Sequence, residues 1–301
     1  MRVGTRGSAL ALAQARQVAR ALEGAEPGLA VELVEIVTSG DESSRTAASS
    51  IGDKSRFVKE IEEALLSGEI DLAVHSAKDV PGVLPDGLAI VGVPKREDAR
   101  DALCGAASLD SLPEGASVGT SSLRRRAQLL AERPDLRISD LRGNVDTRLR
   151  KLAEGSYDAL VLAVAGLKRL GRDDGTPLPV SLLTPAPGQG CLALEARRDD
   201  KRALELAVRL TDRSALTRLT AERALVERLD ATCHTPVAAY ASLPDDGALE
   251  IAAFVGLPDG STWIRDSLTG DAGDPAGLGR EVADRLLAAG AREVLDAAES
   301  I

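Results

Sequence analysis

Val118-Gly119-Thr120-Ser121-Ser122-Leu123-Arg124-Arg125 reads as a short strand, a glycine-containing turn, hydroxyl residues at a helix N-cap, and the first turn of a helix. The amino terminus repeats the pattern: Val3-Gly4-Thr5 leads through Arg6-Gly7-Ser8 into an apolar-periodic helix, Ala9–Leu22. Such a turn aims unpaired N–H groups and the positive end of a helix dipole beyond the strand, which makes it a natural anion site. Two copies, one per α/β lobe, would face each other across a cleft. Two ordinary capped helices would carry the same residues.

Working outward, Val31–Val37, Ile70–Val74 and Leu88–Val93 read as strands and Phe57–Leu66 as an amphipathic helix. After a connector at Pro94–Asp101, Ser117–Thr120, Leu136–Leu141 and Ala159–Ala163 are strand-like, with helical patterns at Leu123–Ala131 and Val145–Ala153. This alternation predicts open α/β sheets. The last third differs. Ala203–Leu229 is one long helical stretch. Pro236–Ser242, Leu249–Gly256 and Ser261–Thr269 read as strands, the last two joined by a turn at Leu257-Pro258-Asp259-Gly260, and Gly279–Leu295 is helical again. That is an α+β pattern, expected as a separate small domain.

The 301 residues suffice for two or three domains with real cores. Aromatics are 2% and net charge is −10, so neither stacking platforms nor a general basic surface is available for nucleic acid. Within Val118–Arg172, however, twelve Lys or Arg stand against six Asp or Glu, a +6 island in a remainder of −16. Such an island suits an anionic small ligand, or simply a solvated helix face. No apolar run reaches membrane-spanning length and Met1–Arg6 has no signal-like apolar region, so an unexported, membrane-free protein is expected. Three cysteines without framework spacing fit a reducing compartment, and two histidines without a ligand cluster predict no metal site.

Arginines directly after a helix N-terminus, as in Arg124-Arg125-Arg126, are electrostatically misplaced unless something anionic compensates them. Arg142 and Arg148 follow the next strand, and Lys168-Arg169 the one after. Three successive strand ends thus supply cations to one rim, where open α/β sheets bind ligands. Guanidinium forks match carboxylates or phosphates. His75-Ser76-Ala77-Lys78-Asp79 ends another strand; its carboxylate could bind an N–H, stabilise a cation or move a proton, or could cap a turn. His75 reads as a hydrogen-bonded core residue. Cys104 and Cys191 read as packing residues, whereas Cys233, in the loop Ala231-Thr232-Cys233-His234-Thr235-Pro236, is more available for covalent chemistry or is simply a further structural cysteine.

Taken together, these segments resemble the porphobilinogen deaminase family over almost the whole chain. The motifs are Gly4–Ser8, Phe57–Glu62, Ala73–Pro81, Val118–Arg125, Leu141–Arg148, Leu162–Gly171 and Pro187-Gly188-Gln189-Gly190, in that order. The resemblance implies two periplasmic-binding-protein-like α/β lobes joined by a two-stranded hinge, residues 1–94 with 191–211 and residues 98–186, plus an α+β domain over 213–301. It implies a dipyrromethane cofactor in thioether linkage to Cys233 and Asp79 as the catalytic carboxylate. Arg6, Ser8, Ser76, Lys78, Thr120, Ser122, Arg124, Arg125, Arg142, Arg148 and Arg169 would bind the acetate and propionate groups of porphobilinogen and its oligopyrrole intermediates. A cytoplasmic monomer that makes hydroxymethylbilane follows from the same likeness.

Two stretches depart from the family pattern. The cysteine loop has Ala231-Thr232 before Cys233 and His234 after it, where Gly-Gly and Gln are common. The segment Gly52-Asp53-Lys54-Ser55-Arg56-Phe57 replaces a common Gly-Gly-Lys-Gly-Leu-Phe. Two rival readings stay in view. A non-catalytic anion receptor of the same lobe architecture would explain the arginines and would not need Cys233. A nucleic-acid module would explain Arg124-Arg125-Arg126 but neither the acidic total nor the missing aromatics.

Overall fold

The protein is represented by a computed structural model describing residues 1–40, 57–231, 235–244 and 247–300. It divides into two compact units, residues 1–97 with 191–216 and residues 98–190 with 217–301.

The first unit contains β1 (Arg2–Arg6), α1 (Ala9–Ala25), β2 (Glu32–Ile36), α2 (Lys59–Leu66), β3 (Leu72–Ser76) and β4 (Leu88–Gly92). Much later in the chain come β10 (Leu192–Arg197) and α6 (Lys201–Leu210). Its sheet runs β2-β1-β3-β10-β4. β1, β2 and β3 are parallel, and β10 is antiparallel to both of its neighbours. Val3, Leu72, Val74, Leu192 and Leu194 meet Val18 and Leu22 of α1 and Leu206 of α6 in one core.

The second unit repeats that plan with β5 (Asp101–Cys104), β6 (Ser117–Gly119), α3 (Leu123–Glu132), β7 (Arg137–Ser139), α4 (Val145–Ala153), β8 (Ala159–Ala163), α5 (Val164–Arg169) and β9 (Thr176–Pro177). The order is β7-β6-β8-β5-β9, with β6, β7 and β8 parallel and β5 antiparallel to β8. This is again a parallel trio followed by an antiparallel strand. The same unit carries α7 (Arg213–Leu229) from Thr217 onward, an antiparallel sheet of β11 (Val237–Ser242), β12 (Ala248–Gly256) and β13 (Trp263–Asp271), α8 (Pro275–Ala288) and α9 (Ala291–Glu299). Leu225, Ile251, Val255, Val282 and Leu286 form the core of this α+β part. The two-lobe α/β architecture with a small α+β domain therefore stands as expected.

The paired turns share a physical cause. Each glycine sits where a Cβ would strike a neighbouring side chain, Ile70 at 2.3 Å for Gly4 and Leu160 at 2.7 Å for Gly119. The following hydroxyl caps the helix: Ser8 accepts from Ala11 N and Ser122 from Arg125 N.

Two expected elements are each broken in two. Ala203–Leu229 becomes α6 and α7, because Thr211 Oγ1 turns back to Ala207 O and Asp212 caps the next helix at Ala215 N, 2.7 Å away. Gly279–Leu295 spans α8 and α9, which separate at Gly290, in the left-handed region at φ 99. Residues 94–101 were expected as a connector, yet Asp101 opens β5, and β9 and β10 had no counterpart in the sequence reading.

Candidate functional site

In the first unit, β1 and β3 are parallel neighbours, so Arg6 and Ser8 share a sheet edge with Ser76, Lys78 and Asp79. The chain leaves β3 through a single 3-10 turn, Ala77–Asp79, fixed where Ala77 N donates to Cys191 O at 3.0 Å. Lys78 and Asp79 are half-buried there. The Arg6 guanidinium lies over the Phe57 ring, 4.1 Å from its centre.

In the second unit, parallel β7, β6 and β8 bring Thr120, Ser122, Arg142, Arg148 and Arg169 to one carboxyl edge. Thr120 is buried, and its hydroxyl accepts from Ser122 N at 3.2 Å. Ser121, exposed at the turn, exchanges hydrogen bonds with Leu141 N and O. Arg169 Nη2 donates to Gly190 O at 2.8 Å. Arg142 is exposed on the turn that Asn144 caps for α4.

Arg124 and Arg125 occupy a different environment. Both guanidiniums turn inward onto Asp101, which is fully buried at the start of β5. Arg124 also donates to Thr184 O and Arg125 to Val161 O. The amide of Gln189 completes the cluster, 2.9 Å from Asp101 Oδ1. Burial alone would raise the Asp101 carboxyl, but the two arginines and the Gln189 hydrogen bond hold it well below the usual carboxylate range. The anion that the misplaced arginines require is thus supplied by the chain itself.

Arg148 has no such partner. Its Nε donates to Gly143 O at 2.7 Å, and among the described residues no carboxylate pairs with it. Burial, with the charge of Arg125 behind it, pushes its pKa down to about 10. A half-buried cation left uncompensated fits a site that receives an anion. This donor set, guanidiniums beside N-cap hydroxyls on a sheet edge, suits the carboxylates or phosphates of an anionic ligand.

Asp101 and Gln189 escaped the sequence reading as site residues. The one signal was the run of arginines at a helix start. Glu222, on α7, was also missed. It is fully buried and accepts from Gly188 N and Ala241 N at 2.7 and 2.8 Å, tying the Pro187–Gly190 turn to β11. Cys104 and Cys191 are buried, as packing residues should be, and burial lifts the Cys104 thiol to about 11. Cys233, His234 and residues 52–56 lie outside the described residues. Among the described residues no cluster could hold a metal ion, and no helix is long and apolar enough to cross a membrane.

The fold defines a protein with two five-stranded α/β sheets of repeated plan and an added α+β part. Residues 1–205 match the family described as porphobilinogen deaminase, dipyromethane cofactor binding domain, and residues 216–288 match porphobilinogen deaminase, C-terminal domain. A porphobilinogen deaminase of Roseiflexus sp. is 50% identical over 297 residues, 97% of each chain. One from Brevibacillus brevis is 47% identical over 298 residues, 98% of this chain and 96% of that one. A methionine-bound nutrient binding protein from Burkholderia cenocepacia covers 69% of this chain and 90% of its own, with 16% identity and a TM-score of 0.42. The chain belongs to the porphobilinogen deaminase family.

Proposed function

We propose that this chain is a transferase that condenses four porphobilinogen molecules head to tail, with loss of ammonia, and releases hydroxymethylbilane by hydrolysis. The observation that carries the site assignment is Arg148, a half-buried cation without a described carboxylate on the rim of the second unit. Arg142, Arg148 and Arg169, with Ser122, would take up carboxylates there. Arg6, Ser8, Ser76 and Lys78 would do so on the edge of the first unit. Arg124, Arg125 and Thr120 would act from beneath, their remaining N–H and O–H groups steering the rim while Asp101 holds the arginines.

Asp79 would accept the pyrrole N–H of the substrate and stabilise the cation left when the aminomethyl arm loses ammonia. Its place on a tight turn limits its freedom, so the same carboxylate can serve each successive addition. Bound through a thioether to Cys233, the dipyrromethane would supply the free pyrrole carbon from which the product is extended. We assign the lobes to residues 1–94 with 191–211 and 98–186, and the cysteine-bearing domain to 213–301. We also assign a reducing, cytoplasmic setting, in which the buried Cys104 and Cys191 serve as packing residues. We assign a monomer acting on small molecules, with no nucleic-acid or membrane partner.

Intact-protein mass decides between this enzyme and an anion receptor. The purified chain should exceed its polypeptide mass by one dipyrromethane. Cys233→Ser should stay folded, lack that mass and be inactive, since a hydroxyl is a poorer nucleophile than a thiolate. Cys104→Ser and Cys191→Ser should keep it. A bare polypeptide mass in the wild type, or the cofactor on a peptide containing Cys104 or Cys191, would refute the assignment.

A further inference from the structure

Beneath the Asp79 turn, the first unit buries three ionisable side chains that the reaction above does not use. His75 lies on β3, Glu195 on β10 and Glu62 on α2. His75 and Glu195 are diagonal neighbours across the antiparallel pair, since His75 is registered with Ala193, two residues before Glu195. Their closest approach is 3.0 Å, from Nε2 to Oε2, with Glu195 fully buried. The contact is bent away from hydrogen-bond geometry, so among the described residues neither Glu195 oxygen receives a hydrogen bond. Glu62 Oε1 is likewise buried and unmatched, and Glu62 feels the charges of both partners.

Buried polar groups are ordinarily satisfied, and an unmatched carboxylate costs stability. With Glu62 and Glu195 both ionised, negative charge would stand beside the apolar cluster of Ile61, Leu65 and Ala73. A proton on Glu62 lessens that charge and supplies one of the missing donors. Among the described residues, several neighbouring charges are engaged elsewhere. On the same face of β10, Arg197 is turned to the Leu65 and Ile70 carbonyls and to Asp200. On α2, Glu60 accepts from Ser39 N, while Lys59 and Glu63 pair with each other at the surface. On β1, Arg2 pairs with Asp71 and Arg6 stacks on Phe57. β4 carries no ionisable side chain.

We propose that Glu62 holds a proton beside the His75–Glu195 contact and that the three side chains act together as positioning residues for Asp79. The coupling is short. Asp79 follows His75 by four residues, and β10 grips this segment twice, through Glu195 at the His75 side chain and through Cys191 O at the Ala77 amide. Loss of the Glu62 proton sets Glu62 against Glu195, pushes α2 from β10 and loosens the turn. Burial and Glu195 raise the Glu62 carboxyl to about 7, against a smaller opposing effect of His75, so this proton is lost around neutral pH.

The inference rests on the reading of Asp79 as the catalytic carboxylate. The test compares holoenzyme carrying Glu62→Gln, which is locked in the neutral form, with wild type across pH. The wild type should lose kcat with KM nearly constant as pH rises past neutrality, and Glu62→Gln should flatten that limb. Deuterium uptake over residues 72–80 should match at about pH 6 and be greater in wild type at about pH 8.5. Identical kcat profiles and identical uptake at both values overturn the proposal. If Glu62→Gln does not fold, Glu195→Gln serves: it removes the charge that Glu62 is set against and should flatten the same high-pH limb of kcat at unchanged KM, and a wild-type kcat profile in the folded variant overturns the proposal. An active Asp79→Asn would instead remove the reading of Asp79, while the uptake comparison would still report the proton.

Discussion

Arg125 grips Asp101 from the side, with Nε and Nη2 at 3.1 and 2.7 Å from the same Oδ1, while Arg124 takes Oδ2 at 2.8 Å. One buried carboxylate therefore balances two buried guanidiniums. Removing it in Asp101→Ala strands both, and breaking such a pair costs about 3–5 kcal/mol. Denaturant melts should show that loss. Because the Asp101 carboxyl is depressed when folded, its contribution is present above the ordinary carboxylate range and is lost as pH falls through the folded value. A variant as stable as wild type would show that the arginines are balanced elsewhere.

The arginines on and under the rim should separate into two phenotypes. Arg124→Leu leaves Thr184 O without its guanidinium donor and Asp101 half-compensated, so its melting temperature should drop. Arg148→Leu breaks no described ion pair. It should melt close to wild type while losing roughly 2–5 kcal/mol of ligand interaction if its carboxylate contact is buried. Calorimetric melts beside porphobilinogen turnover check both. Normal turnover in Arg148→Leu would count against the rim as a substrate site.

Asp79→Asn keeps the shape of the side chain but removes the charge. Losing a preorganised electrostatic partner costs about 10²–10³ in rate, so turnover should nearly vanish while substrate still binds. Asp79→Glu keeps the charge but misplaces it, and should retain part of the activity. A carboxylate that only capped the turn would give the opposite ranking, with Asn tolerated. Steady-state rates, with mass spectra counting attached pyrroles, decide.

Glu62 carries a pH signature in stability as well. Its carboxyl is near 7 when folded, above the ordinary value of 4.5. Between those values the folded state holds a proton that the unfolded chain has released, so this group's contribution falls as pH rises through the window. Subtracting the melting curve of Glu62→Gln from that of wild type at each pH should isolate a falling difference. A flat difference would mean that Glu62 titrates normally.

The strand-and-cap grammar was legible because it is local. Ser8, Ser122 and Asn144 cap the helices they precede, and Ala159–Ala163 forms the strand its apolar run predicts. What escaped depends on distant partners. Leu192–Arg197 becomes a buried strand through β3 and β4, which lie some hundred residues earlier. Asp101, a charged residue at the edge of a connector, looks solvated until Arg124, Arg125 and Gln189 converge on it. The arginine run did signal a compensating anion. Residue types cannot reveal whether that anion is a ligand or a side chain of the same protein, and here Arg124 and Arg125 take the internal one.

The late arrival of β10 imposes a timetable on synthesis. The strand lies between β3 and β4, yet it begins at Leu192, after every strand of the second five-stranded sheet has been made. A nascent chain emerging from its amino end therefore exposes the facing edges of β3 and β4, and the apolar surface that Leu192, Leu194 and Leu206 later cover. The sheet spanning Asp101–Pro177 has all of its strands in hand sooner, so the lobe that starts first is finished last. Until then its open edges are the part of the molecule most exposed to misassembly, and to the chaperones that guard against it.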